Sequence, residues 1–121
     1  MSSVLISLVA VFFLLMGVYA LATPAGLAEP FGIVVQTPVA RSEIRAVYGG
    51  FGIAIAVLLG AAAVDIGDIR RGAVIAVAAA LGGMALGRIV SRALDRPVGF
   101  YPSWFYCGVE LAAAALLCVA V

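Results

Sequence analysis

Between Arg45 and Asp65 the chain carries no charge, and Arg41, Glu43 and Arg45 crowd the start of this run. Such a run is poorly suited to water. In hydrocarbon every backbone N–H and C=O must be satisfied within the segment, so the run folds as a helix, and about 20 residues cross the apolar layer. Three further apolar stretches follow the same logic. The expected fold is all-α: an antiparallel four-helix transmembrane bundle, with spans at about 4–21, 44–64, 72–94 and 103–121 in a single integral membrane domain covering 1–121. Composition agrees, with 66% of residues hydrophobic and 11% charged, where a soluble domain has about half and a quarter.

The same composition excludes several function classes. A net charge of +1 leaves no nucleic-acid footprint. There is no His, the usual proton carrier near neutral pH and the commonest metal ligand. Cys107 and Cys118 share one predicted helix and would stand roughly 16 Å apart along it, too far to bridge. They read as core fillers, with no metal or dithiol spacing. No metal site and no catalytic constellation is expected.

In chain order, Ala20-Leu21-Ala22 resembles a signal-peptidase site, yet no Lys or Arg precedes the first apolar run, so a true first helix is expected. Thr23 to Arg41 reads as the one long loop, broken by Pro24, Gly26, Pro30, Gly32 and Pro38. Its Phe31-Gly32-Ile33-Val34-Val35 stretch is too apolar for free water. It is expected on the bundle mouth, partly extended. Asp65 to Arg71 reads as a short polar turn in which Asp65 ends or caps a helix and Arg70 and Arg71 flank the third span. The fourth span is led in by Arg96 to Pro102, with Tyr101, Trp104 and Tyr106 as an interfacial aromatic belt.

Four spans put both termini on one side, together with Arg70 and Arg71. Arg41, Arg92 and Arg96 lie on the other, so the positive-inside count is nearly tied. The orientation expected is with both termini cytoplasmic, on the premise that acidic neighbours engage Arg41 and Arg92.

Three ionisable residues fall inside spans. Measured from the loop side, Arg45, Arg88 and Glu110 lie at depths of roughly 3, 9 and 10 Å. They are expected to converge in one leaflet half. A charge at the bilayer centre costs on the order of 3 kcal/mol by insertion scales, so pairing is favoured, and Arg88 with Glu110 is the first pair. Glu43 and Arg45, two apart, do not face each other; Glu43 belongs to the rim. Helical spacing groups Arg45, Tyr48, Gly49, Gly52 and Ala56 on one face of span two. It groups Leu81, Met84, Arg88, Arg92 and Asp95 on span three, and Ser103, Tyr106, Cys107, Glu110 and Ala114 on span four. These faces should turn inward around a pocket. Gly49 and Gly52 suit close packing. So does the Ala76, Ala80, Gly83, Gly87 stripe, read as packing inside the bundle in preference to a dimer seam.

Two interpretations stand beside each other at this cluster. Arg88 and Glu110 are either a structural ion pair that fixes helix register or a site for a polar head group, a quinone-like ring or a proton. Tyr48-Gly49-Gly50 is either a packing groove or a phenol lining that pocket.

The motifs Ser42-Glu43-Ile44-Arg45-Ala46-Val47-Tyr48-Gly49-Gly50, Arg70-Arg71-Gly72-Ala73 and Leu86-Gly87-Arg88, with Glu110 in the last span, resemble a bacterial family of small four-span membrane proteins known as domain of unknown function 4345. The resemblance runs from about Pro38 onward and implies a multi-pass protein of the bacterial inner membrane. The layout is also similar to DoxX-like four-helix proteins, whose links to quinone or redox partners and to receptor assembly come by fold-level analogy alone. The function expected is a non-catalytic integral membrane protein that binds a lipid or quinone-like ligand, or serves as an accessory subunit of a larger membrane complex. Arg45, Tyr48, Arg88, Glu110, Glu43 and Arg92 would form its polar cluster. A small proton-coupled transporter is the alternative, and an intramembrane enzyme ranks last.

Overall fold

A computed structural model of the chain describes residues 1–95 and 100–121. Arg96, counted in the topology above, and Pro97, Val98 and Gly99 of the last lead-in lie outside the described residues. Helix α1 spans Ser2–Ala22, a short α2 spans Pro24–Ala28, α3 runs Pro38–Ala63, α4 spans Arg70–Leu94, and α5 spans Phe105–Ala120 after an irregular lead-in from Phe100 to Trp104. All the described regular structure is helical, and four segments are long and apolar enough to cross a bilayer: α1, α3, α4, and α5 with its lead-in, Phe100–Ala120. The chain is a multi-pass, all-α membrane protein.

The long helices form an up-and-down bundle in which α1 packs on α3, α3 on α4, α4 on α5, and α5 back on α1. The core is one inward stripe per helix, anchored by Ile6, Leu59, Val74 and Leu117, all fully enclosed. Leu8, Leu15, Val57 and Leu86 stand on the outer surface. In water such a surface would be an aggregation liability; in a bilayer it meets lipid tails.

The α1–α3 seam is the closest. A Cβ built on Gly17 would lie 2.8 Å from the Gly49 carbonyl, one on Gly49 would lie 2.7 Å from Leu21 Cδ2, and one on Gly52 would lie 3.1 Å from the Phe13 carbonyl. Only residues without side chains allow the two backbones to approach so far. Gly49 and Gly52 therefore pack as their spacing predicts.

Gly83 and Gly87 do not. They are exposed on the outside of α4 with Ala76 and Ala80, and a Cβ at either glycine would have nothing within 4 Å. The inward face of α4 is Ala73, Val74, Val77, Ala78, Leu81 and Ala85. Leu81 and Gly83 are two residues apart, which is about 200° around a helix, so the Gly83 stripe lies opposite the inward one. Both stripes have the same period, and spacing alone does not say which one turns inward.

The loop between α1 and α3 is more helical than its proline content predicts. Pro24 and Pro38 do not break helices; each occupies a first turn, where the missing N–H is no loss. Thr37 caps α3 by accepting from the Ala40 N–H at 3.0 Å, so the helix begins at Pro38 and not at Ile44. Glu29–Phe31 form a tight turn ended by Gly32 in the left-handed region, and 33–36 have no regular structure. At the far end, Asp65 terminates α3 with φ 55° and its carboxylate accepts from the Arg70 N–H at 3.4 Å.

Candidate functional site: a cleft beside the Arg88–Glu110 pair

On α4 the inward stripe ends as Leu81, Ala85, Arg88, three and four residues apart, so Arg88 follows two core residues toward α5. On α5 Cys107 and Glu110 occupy the matching stripe, both buried. Arg88 Nε donates to Glu110 Oε1. Glu110 is only 4% exposed, and its second oxygen, Oε2, is enclosed without a hydrogen-bond partner. Cys107 sits one turn away with Sγ 3.8 Å from the Ala85 carbonyl.

A lid of rings covers the pair. The Arg88 guanidinium carbon lies 5.7 Å from the Phe31 ring centroid and 5.9 Å from that of Tyr106, within cation–π range. The two rings are themselves 5.4 Å apart. Phe31 thus brings the apolar loop onto the bundle mouth. The Glu110 side of the pair is enclosed while Arg88 stays partly open to the cleft; at the enclosed side the low local dielectric raises the cost of an unpaired group.

Outside this lid is a cleft of about 270 Å³, walled by Pro30 and Phe31, by Arg88, Ser91, Arg92 and Asp95 along the end of α4, and by Tyr101 to Trp104. Arg92 and Asp95 are exposed, and neither forms an ion pair with a described residue. Tyr101 and Trp104, expected as interfacial anchors, are also walls of this cleft, while Tyr106 stacks on Phe31.

Arg45 does not join the cluster. Its Nε donates to the Leu21 carbonyl at 3.0 Å, and the side chain is exposed. The cause is local: Arg45–Gly50 form a wide turn with i→i+5 hydrogen bonding. One extra residue in the turn rotates everything before it by about 100°. Ile44 therefore takes the buried position above Gly49 and Gly52 that a regular period assigns to Arg45. Tyr48 packs with Ala20, Ala28 and Ile44. Glu43 is exposed and forms no ion pair with a described residue. Of the other expected inward residues, Met84 is 46% exposed and Cys118 is exposed.

A second polar centre, at the other end of the bundle, was given only a flanking role. Arg70 Nε donates to the Ala62 carbonyl at 3.0 Å, and its Nη2 donates to the Ala63 carbonyl at 2.7 Å and to Ser3 Oγ at 3.0 Å; Ser3 Oγ in turn donates to the Ala63 carbonyl at 2.7 Å. Arg70 thereby caps α3 and ties it to α1. No sequence pattern marks such a contact, since every residue supplies a carbonyl. It also alters the topology count: the engaged arginine is Arg70, while Arg41 and Arg92 lack the acidic partners assumed for them. The premise for cytoplasmic termini is not met.

Among the described residues, no group of three or more His, Cys, Asp or Glu side chains could hold a metal ion. A family profile described as a domain of unknown function (DUF4345) matches residues 1–121, so the likeness reaches α1 and the loop as well as the stretch from Pro38 onward. Neither curated proteins nor solved structures give a match.

Proposed function

The chain belongs to the DUF4345 family, and we propose that this member is a non-catalytic membrane protein that holds the polar end of a membrane amphiphile, a lipid or a quinone-like molecule, in the cleft beside Arg88. One observation carries the proposal: a cleft of about 270 Å³ that combines two arginines, a carboxylate and two serines with Phe31, Tyr101 and Trp104. Ligand pockets combine apolar and aromatic walls with a few convergent polar groups in this way, and span about 300–1,000 Å³. The volume suits a head group whose apolar remainder stays in the bilayer. Arg88 reaches the cleft wall from its bond to the buried Glu110, which fixes where its guanidinium can stand.

The test uses the only tryptophan, Trp104, as a reporter in the cleft wall. Purified protein should retain an amphiphile detectable by mass spectrometry of the extract, and adding it back to delipidated protein should shift Trp104 fluorescence. Absence of both effects across lipids and quinones would sink the proposal.

A role as accessory subunit has its own support, the exposed Ala76, Ala80, Gly83, Gly87 stripe, where a partner helix could approach closely. Bulky substitution at Gly83 that abolished a defined co-purifying complex would favour it. A transporter is less well supported, because α4 and α5 continue unbroken through mid-membrane. We place the protein in a bacterial cell membrane. The arginine tally, Arg41, Arg92 and Arg96 at the cleft end against Arg70 and Arg71 at the other, leans by one toward the cleft end at the cytoplasmic face. Cysteine labelling at Ser2 and at Gln36 from outside intact cells distinguishes the two orientations.

A further inference from the structure

The cleft presents both signs of charge. Arg92, in the last turn of α4, and Asp95, the extended residue that ends it, both line the cleft, and neither forms an ion pair with a described residue. Because Asp95 leaves the helix, the two do not stand as an i, i+3 pair on one helical face. Arg88 adds a second cation whose Nε is committed to Glu110, leaving the end of its guanidinium toward the cleft. Tyr101 and Trp104 complete the wall, and faces of this kind attract ammonium groups.

The geometry points to a head group carrying both a phosphate and an ammonium, of the ethanolamine phosphodiester type. Arg92 and Arg88 would hold the phosphate, since guanidinium groups match its oxygens. Asp95, with Tyr101 and Trp104, would hold the ammonium. A purely anionic head would set a negative charge against Asp95, and a neutral quinone would leave both signs unused; each is disfavoured by charge complementarity. This inference rests on the proposal that the cleft binds an amphiphile.

The test is a titration of delipidated protein in detergent, followed by Trp104 fluorescence and native mass spectrometry. The probes are phosphatidylethanolamine, phosphatidylglycerol of identical acyl chains, a short-chain ubiquinone and soluble phosphoethanolamine. Phosphatidylethanolamine should bind about tenfold more tightly than phosphatidylglycerol, the scale of one charge-assisted hydrogen bond. Asp95→Asn should erase that preference while keeping phosphatidylglycerol binding, and Arg92→Gln should weaken both lipids together. Both residues are exposed, so the variants should fold, and circular dichroism checks this. Equal or tighter binding of phosphatidylglycerol or the quinone, with Trp104 responding, would overturn the head-group inference and leave amphiphile binding standing. Saturation by phosphoethanolamine with no lipid bound would keep the head-group chemistry and overturn the lipid as its source. Silence in every arm would overturn both.

Discussion

The two ends of the bundle each hold an arginine on α4, and they use it in opposite ways. At the terminal end, Arg70 is spent on fixed acceptors of the fold: two carbonyls at the end of α3 and the Ser3 hydroxyl. At the loop end, Arg88 meets a single buried carboxylate whose other oxygen has no hydrogen-bond partner among the described residues, and a cleft opens beside it in which Arg92 and Asp95 pair with no described residue. A helix C-terminus offers carbonyls at known places, so Arg70 closes a joint. A side-chain pair is conditional on both partners, so Arg88 depends on Glu110 in a way that Arg70 depends on no single side chain. Arg70 holds helices together at a closed joint, and Arg88 holds them together beside an open cleft.

The sharpest way to break that contrast is Arg88→Ala. Leaving Glu110 buried and uncompensated should cost about 3–5 kcal/mol, read as a loss of resistance to unfolding in mixed detergent micelles. If stability is unchanged, the pair is not holding α4 to α5. Arg70→Ala comes next. It unsatisfies carbonyls that water or lipid head groups can partly reach, so about 1–3 kcal/mol is expected, with ligand-induced Trp104 shifts intact. A change in those shifts would show that the two ends are coupled. Phe31→Ala sharpens the loop end alone: it removes a ring from Arg88 and Tyr106 at a cost of about 1 kcal/mol, and it should weaken ligand retention more than stability. The smallest effect belongs to the outer face of α4. Gly83→Ala meets no neighbour and should stabilise by roughly 0.5–1 kcal/mol through helix propensity. Destabilisation of the intact protein in membranes would instead indicate a partner packed there.

Much of the architecture was legible because a bilayer leaves a chain few choices. A long uncharged run must be helical, and several such runs with short links must alternate direction. The Arg88–Glu110 pair was legible for a similar reason: two opposite charges at equal depth on sequential helices have few other escapes. Arg45 was misplaced by the same arithmetic. The helix starts at Pro38, ahead of the start assumed at Ile44, and the wide turn at Arg45–Gly50 adds a residue that no regular period contains. The small stripe on α4 was assigned to the wrong side because a repeat of small residues specifies a face without specifying its neighbour. Phe31 drew notice only as an apolar residue in a loop, since its place over Arg88 depends on how α2 and Gly32 fold the chain back.

What the sequence determined by itself was the class of molecule, the number of crossings and the pairing of its two buried opposite charges. These follow from the cost of exposing backbone and charge to hydrocarbon, which acts on each segment separately. The tertiary structure decided which face of each helix turns inward, that Arg70 caps α3, and that Arg88, Arg92 and Asp95 share a wall with Trp104. Those outcomes depend on rotation about helix axes and on close packing between segments, and a one-residue change in a turn is enough to alter them.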